Sequence, residues 1–283
     1  MPGVLEWVRQ RFPEHSWDTA ELAHGAFHDI VLGDDVVARV VADGAPVEAE
    51  TEHASWQVWQ HLGLPVTVPA LLSEVRSGEG RSGYLVSRLP GQPATEVPWS
   101  AARGVVADVL AALRDVDVSR IRLPAARTWC GGATFPEIVR EELVPRLARH
   151  DDAGVASVAV RIVEAMVALP VDGAAVLVHG DLGPHNLLWT ARSAGPGRVT
   201  GLIDVDHSCL DDQVIDLAPL VGFYGAAAVR EIAPAAAVAR AVTYRGTLAL
   251  QVAAAAHLRG SEQLRDHALG NFARRVRAGT VDA

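Results

Sequence analysis

Apolar residues recur along this chain with two different periods. The run Val36-Val37-Ala38-Arg39-Val40-Val41 is short, branched and strand-like. Ile30-Val31-Leu32, Tyr84-Leu85-Val86-Ser87, and residues 176–178, 187–189 and 199–203 have the same character. Residues 52–62 instead place Trp56, Trp59 and Leu62 on one face of a helix. Residues 100–116, with Val105, Val109, Leu110 and Leu113 on one side, form an amphipathic helix, and residues 137–150 read as another helix. After Asp216 the chain is Ala-rich and helical, with turns expected near Gly225, Gly246 and Gly260. The pattern predicts an α+β chain, strand-rich to about Leu85 and mostly helical beyond. Val86-Ser87-Arg88-Leu89-Pro90-Gly91 reads as a hinge, dividing a small portion, 1–89, from a larger one, 90–283.

The decisive chemistry lies between two of the short strands. His179-Gly180-Asp181-Leu182-Gly183-Pro184-His185-Asn186 has the spacing His-x-Asp-Leu-x-x-x-Asn of a kinase catalytic loop. In such a loop the Asp accepts the proton of the attacking hydroxyl and the Asn binds magnesium. Asp181 is the expected base and Asn186 a metal ligand. The turn Ser193-Ala194-Gly195-Pro196-Gly197 brings the chain back so that residues 199–203 deliver Asp204 beside the loop as the second metal ligand. Magnesium is a hard cation that takes oxygen donors, which an amide and a carboxylate supply. The acidic series continues through Asp206, Asp211, Asp212 and Asp216. Asp206 is expected to complete the metal shell or to hold a substrate amine. Asp212 and Asp216 are expected to cap helices and steady the loop. His179 is expected to pack or hydrogen-bond beneath the loop, with His185 exposed in it.

One absence sharpens the picture. All 25 basic side chains are Arg, since the chain has no lysine. A Walker P-loop requires its Lys and is excluded. The phosphate anchor that a kinase takes from a strand lysine is expected at Arg39, whose fork can bond two phosphate oxygens. Its expected partner is Glu52 on the following helix, with Glu48 and Glu50 nearby. The backbone of Ser87 and Leu89 in the hinge is expected to meet the nucleotide base. His24-Gly25-Ala26-Phe27-His28-Asp29 reads as a turn between strands that covers the phosphates. Gly78-Glu79-Gly80-Arg81-Ser82-Gly83 matches the dinucleotide fingerprint, but a strand follows it where a helix is required, so these glycines make a hairpin turn.

Net charge −9 argues against a nucleic-acid partner and suits a cationic one. Glu137, Glu141, Glu142 and Asp211 are candidates for an acidic wall that receives it. Only Cys130 and Cys209 occur, with no Cys-x-x-Cys, so neither a zinc site nor a disulfide framework is expected. No leader and no membrane span are expected; the expected location is the cytoplasm and the expected state a monomer or weak dimer.

The chain resembles the aminoglycoside phosphotransferase family. The family pattern is His-Gly-Asp-Leu-x-x-x-Asn, then Ile-Asp-x-[Glu/Asp]-x4-Gly-Asp-Pro-x-x-Asp-Leu-Ala. This sequence offers His179-Gly180-Asp181-Leu182 with Asn186, then Ile203-Asp204-Val205-Asp206 and Asp211-Asp212-Gln213 with Asp216-Leu217-Ala218. Asp211 and Gln213 replace the family's Gly and Pro, so the backbone of that turn is expected to differ. The resemblance implies a bilobal protein-kinase-like fold, a nucleotide-binding lobe over 1–89, and a catalytic and substrate lobe over 90–283. It also implies ATP, with GTP as the other candidate donor, and Mg2+. His24-Gly25-Ala26-Phe27-His28 and Arg245-Gly246-Thr247-Leu248-Ala249-Leu250-Gln251 resemble segments of the viomycin and capreomycin phosphotransferases. That branch implies phosphorylation of a hydroxyl on a cationic tuberactinomycin peptide. An aminoglycoside and then a macrolide are the alternative acceptors.

Two other readings compete. Leu202-Ile203-Asp204-Val205-Asp206 imitates the Asp-x-Asp nucleophile of haloacid-dehalogenase-type phosphatases, but such an enzyme needs a downstream Lys and none exists. The other is a kinase-like scaffold that binds without catalysing; Asp181, Asn186 and Asp204 are all present, so only a failure of Arg39 would support it.

Overall fold

The computed structural model describes residues 3–25, 28–43, 48–123, 134–150, 153–170, 173, 175–190 and 197–281. Ala26 and Phe27 of the first turn, Cys130, and residues 193–196 of the later turn lie outside the described residues.

The elements run α1 (Val4–Arg11), β1 (Glu21–His24), β2 (His28–Leu32), β3 (Val36–Ala42), α2 (Ala49–Trp59), β4 (Arg76–Gly78), β5 (Arg81–Ser87) and β6 (Gln92–Pro93). Next come α3 (Trp99–Arg114), α4 (Phe135–Ile138), α5 (Val144–His150), α6 (Ala153–Val167), β7 (Val176–Val178), β8 (Leu187–Trp189) and β9 (Val199–Leu202). The chain ends in β10 (Cys209–Asp211), α7 (Val214–Val229), α8 (Ala235–Leu258) and α9 (Glu262–Arg277). It divides into two compact units, Met1–Ala94 with His185–Asp206, and Thr95–Pro184 with His207–Ala283.

The first unit is built on an antiparallel sheet of order β1-β2-β3-β5-β4. Alternation along β3 decides its two faces. Ala38 and Val40 join Val4, Trp7, Val8, Phe12, Trp17 and Leu85 in one apolar cluster beneath α1. Arg39 points the opposite way, and its guanidinium lies 5.9 Å from the ring centre of Trp56 on α2. The β4–β5 hairpin turns at Glu79 and Gly80, both with positive φ (55° and 73°). Two consecutive left-handed residues are what a tight two-residue hairpin needs, and here they confirm a turn in place of a dinucleotide site. A second sheet, β6-β8-β9, ties Gln92 and Pro93 to the hairpin that carries Asn186 and Asp204.

The second unit holds the β7–β10 pair and the large helices. Its core joins Phe135, Val139, Leu143 and Leu147 to α6, α8 and α9 through Ile162, Leu250 and Phe272. Three expectations need correction. In α3 the buried position is Val106, and Val105 is only half-buried. Gly246 lies inside α8, where a methyl group would meet Ile162 at 3.3 Å; it permits close helix packing and makes no turn. Residues 137–150 are helical but interrupted by a π-turn at Val139–Leu143, which carries Glu141 and Glu142. Gly225 (φ 81°) does kink α7, and Gly260 (φ 72°) does end α8. Among the described residues, no helix is long and apolar enough to cross a membrane.

Candidate active site

The loop that follows β7 is held from below by one carboxylate. Asp216, in the first turn of α7, is fully buried. Its Oδ2 accepts the amide of His179 at 2.9 Å, and its Oδ1 the amide of Gly180 at 2.7 Å. His179 is also buried, and its Nδ1 accepts the amide of Asp181 at 3.3 Å. Both side chains therefore serve the backbone beneath Asp181, as their positions in the sequence suggested. Gly180 has φ +88°, and an added Cβ would collide with the carbonyl of His207. Only glycine fits this position without strain. Asp181 itself, the base expected from the sequence, is partly exposed.

Burial pushes the Asp216 carboxyl up to about 7, although the two amides pull it down; Asp181 adds to the rise. Asp212 fills the capping role expected of it. Its Oδ1 accepts the amide of Val214 at 3.0 Å at the start of α7, and its carboxylate pairs with Arg240 at 2.9 Å. The turn that lacks the family's Gly and Pro is secured differently. Gln213 donates to the carbonyl of Leu110 at 2.6 Å, and Asp211 accepts the amide of Asp212 at 2.7 Å.

Within the first unit, strand pairing brings the metal-type residues together. Leu187 pairs with Leu202, and the amide of Ile203 donates to the carbonyl of Asn186 at 2.9 Å. Asn186 and Asp204 thus sit at the same end of the β8–β9 hairpin. Asp204 has φ +66°, a left-handed conformation uncommon outside glycine but tolerated by Asp, and such outliers cluster at functional sites. Asn186 is 4% exposed, whereas the Asp204 side chain is 41% exposed. One amide oxygen and one accessible carboxylate are donors of the type magnesium takes.

Arg39 completes the cluster. Its Nη2 lies 3.4 Å from Asp204 and forms a short ion pair with Asp206. Burial works against the guanidinium charge, but Asp206 and the neighbouring Asp204 and Glu52 outweigh it and raise its pKa further. Burial likewise pushes the Asp206 carboxyl up; Arg39 pulls it down, and Glu52 and Asp204 push it up again.

The expected Arg39–Glu52 ion pair is not the one formed. The direct partner of Arg39 is Asp206, 167 residues away in sequence. Glu52 instead accepts a hydrogen bond from Nε2 of His28 at 2.5 Å. Asp206, expected either in the metal shell or on a substrate amine, is buried against Arg39, with His28 3.7 Å away. Sequence reasoning missed His28 as a site residue. Its only signal was a histidine at the mouth of the turn at residues 24–29.

The remaining candidates are placed as follows. The Ser87 amide is committed to the carbonyl of Ala70 at 2.8 Å, and its hydroxyl accepts the amide of Ala70 at 2.9 Å. Leu89 is half-buried, with its side chain against Gly201. Glu141 is exposed and Glu142 half-buried in the π-turn, while Asp211 lies in β10, where burial raises its carboxyl. His185 is half-buried in the short 3-10 turn Pro184–Asn186, less open than expected.

The family model of the phosphotransferase enzyme family matches residues 22–255. The chain belongs to that family. It is 34% identical over 263 residues to viomycin phosphotransferase of Streptomyces vinaceus, covering 84% of this chain and 87% of that protein. A GDP and kanamycin complex of APH(2")-IIia superposes with a TM-score of 0.73 at 14% identity, covering 96% of this chain and 97% of the other. A ternary complex of a thermostable mutant of aminoglycoside phosphotransferase APH(4)-Ia with ADP and hygromycin B gives 0.66 at 18% identity, over 98% and 99%. The fold is therefore the kinase-like one of the aminoglycoside phosphotransferases, and the chain is a phosphotransferase.

Proposed function

We propose that this phosphotransferase moves the γ-phosphoryl group of ATP to a hydroxyl of a tuberactinomycin antibiotic such as viomycin or capreomycin. The observation that carries the chemistry is the held loop: Asp216 and His179 fix the backbone on which Asp181 stands. Asp181 accepts the hydroxyl proton as the phosphoryl group is transferred. Asn186 and Asp204 would hold magnesium, which when bound neutralises phosphate charge. Arg39, paired with Asp206, anchors the phosphates while Glu52 binds His28, and the Ser87 carbonyl and the backbone of Leu89 form the hinge that the base meets. We assign nucleotide binding to 1–89 and substrate binding to 90–283, apart from the metal-type residues that fold with the first unit.

Identity to viomycin phosphotransferase over most of both chains supports the acceptor. The net charge of −9 suits a guanidine-bearing guest, for which Asp211, Glu141 and Glu142 are the candidate contacts. An aminoglycoside is the second reading, favoured by the kanamycin and hygromycin B bound to the structural relatives. Those relatives also bind GDP and ADP, so GTP is tested beside ATP as the donor. The expected setting remains the cytoplasm, as a monomer or weak dimer.

The test is nucleotide consumption with magnesium against capreomycin, viomycin, several aminoglycosides, a macrolide and no acceptor, with mass spectrometry of each product. One phosphate added to the cyclic peptides alone is the expected result. Phosphorylated aminoglycosides alone would discard the peptide assignment.

A further inference from the structure

A guanidinium and an imidazole in the first unit, Arg39 and His28, face three carboxylates, and the pairing is divided. Strands β2 and β3 are antiparallel neighbours with Ile30 opposite Arg39 and His28 opposite Val41. Side chains two residues apart share a face, so His28 and Arg39 are diagonal neighbours beneath α2. Along α2, Glu52 and Trp56 are one turn apart; Glu52 receives His28, and Trp56 lies against Arg39. Glu52 is 2% exposed, and its second oxygen has no protein partner. A buried carboxylate in that state draws the nearest cation, and the field of Glu52 reaches Arg39.

We propose that His28 is a positioning residue for the nucleotide site. By binding Glu52, it keeps that carboxylate from capturing Arg39, which stays with Asp206 and Asp204 where it can serve the phosphates. A lysine in a protein kinase pairs with the helix glutamate and the phosphates at once. Here two side chains share that work. The donor atoms of His28, Glu52 and Asp206 lie within 4.8 Å of one another, a grouping that suggests a metal. Zinc with nitrogen and oxygen bonds of about 2.0 Å at tetrahedral angles holds its ligand atoms about 3.3 Å apart. The direct 2.5 Å contact of His28 with Glu52 is a hydrogen bond and leaves no such gap.

The inference rests on Arg39 as the phosphate anchor, and the experiment separates the two. Calorimetric binding of magnesium AMP-PNP is measured for wild type, His28→Ala, Glu52→Gln, the double variant and Arg39→Ala, with melting temperatures alongside. His28→Ala is expected to weaken binding about tenfold, the size of one charge-assisted hydrogen bond. Adding Glu52→Gln to it should restore most of that loss, because the competing charge is gone; a merely structural histidine would show no such rescue. Should His28→Ala fail to fold, His28→Leu, which fills the space but carries no donor, is compared with and without Glu52→Gln. Wild-type affinity in the His28 variant, or no rescue by Glu52→Gln, overturns the role of His28 while leaving Arg39 in place. Wild-type affinity in Arg39→Ala overturns the anchor and the inference with it. Stoichiometric zinc that disappears in His28→Ala would replace the hydrogen bond with a metal site.

Discussion

The amide of Gly180 donates to Oδ1 of Asp216 over 2.7 Å, so a carboxylate 36 residues downstream fixes the loop one residue before Asp181. Burial holds that carboxyl near 7 when folded, against about 3.9 for an unfolded Asp. Between those values the folded state keeps the proton and the unfolded state releases it. Stability is therefore lost as pH rises through that window. Asp216→Asn removes the titration but sets an amide NH2 against a backbone donor. The stability that wild type holds over this variant should shrink by up to about 4 kcal/mol from pH 4 to pH 7. Urea unfolding across pH measures it; a gap that widens instead would mean the two amides win over burial.

Gly180→Ala is expected to destabilise the protein by about 2 kcal/mol or more, because strain at φ +88° and the clash with the His207 carbonyl act together. Denaturant melts check this, and wild-type stability would show that the loop relaxes freely.

The sequence made the loop and its acidic series legible because these residues are local and their spacing is set by chemistry. Arg39 was also readable, since a charge at the centre of a branched strand has few explanations. Its partner was not. Alternation shows which face Arg39 occupies, but nothing local shows that Asp206 reaches it from 167 positions away. Nor could periodicity reveal that His28 would take Glu52. The half-buried Val105 and the helical Gly246 are misreadings of the same origin: a helical wheel blurs neighbours, and glycine marks either a turn or a close approach. The π-turn at Val139–Leu143 depends on packing and left no local mark.

Arg39→Lys should fold but raise the ATP Michaelis constant, because one ammonium cannot reproduce the guanidinium fork. Arg39→Ala should in addition lose about 3–5 kcal/mol of stability, since the Asp206 carboxylate is left buried without its cation. Steady-state kinetics and thermal melts separate the two effects. An unchanged Michaelis constant in both variants would move the phosphate anchor elsewhere.

Asp204→Asn keeps the shape of the hairpin but replaces the accessible carboxylate with an amide. The magnesium concentration for half-maximal rate should rise about tenfold or more, the scale of losing one charged ligand contact. A magnesium titration at saturating nucleotide reads this out. An unaltered requirement would remove Asp204 from the metal site.

Asp181→Asn is the sharpest test of the chemistry. The substitution preserves size and leaves the amide of residue 181 on Nδ1 of His179, so the loop should keep its form. What it removes is a proton acceptor. General-base catalysis contributes about 10²–10⁴ in rate, and turnover should fall by that factor. Because Asp181 is assigned to the hydroxyl and Arg39, Asn186 and Asp204 to the nucleotide and its metal, AMP-PNP affinity should stay within about twofold. Single-turnover kinetics with the accepted antibiotic, paired with calorimetry, distinguishes the cases. A rate within a few-fold of wild type would take the base role from Asp181. A matched loss of nucleotide affinity would place it among the nucleotide contacts instead.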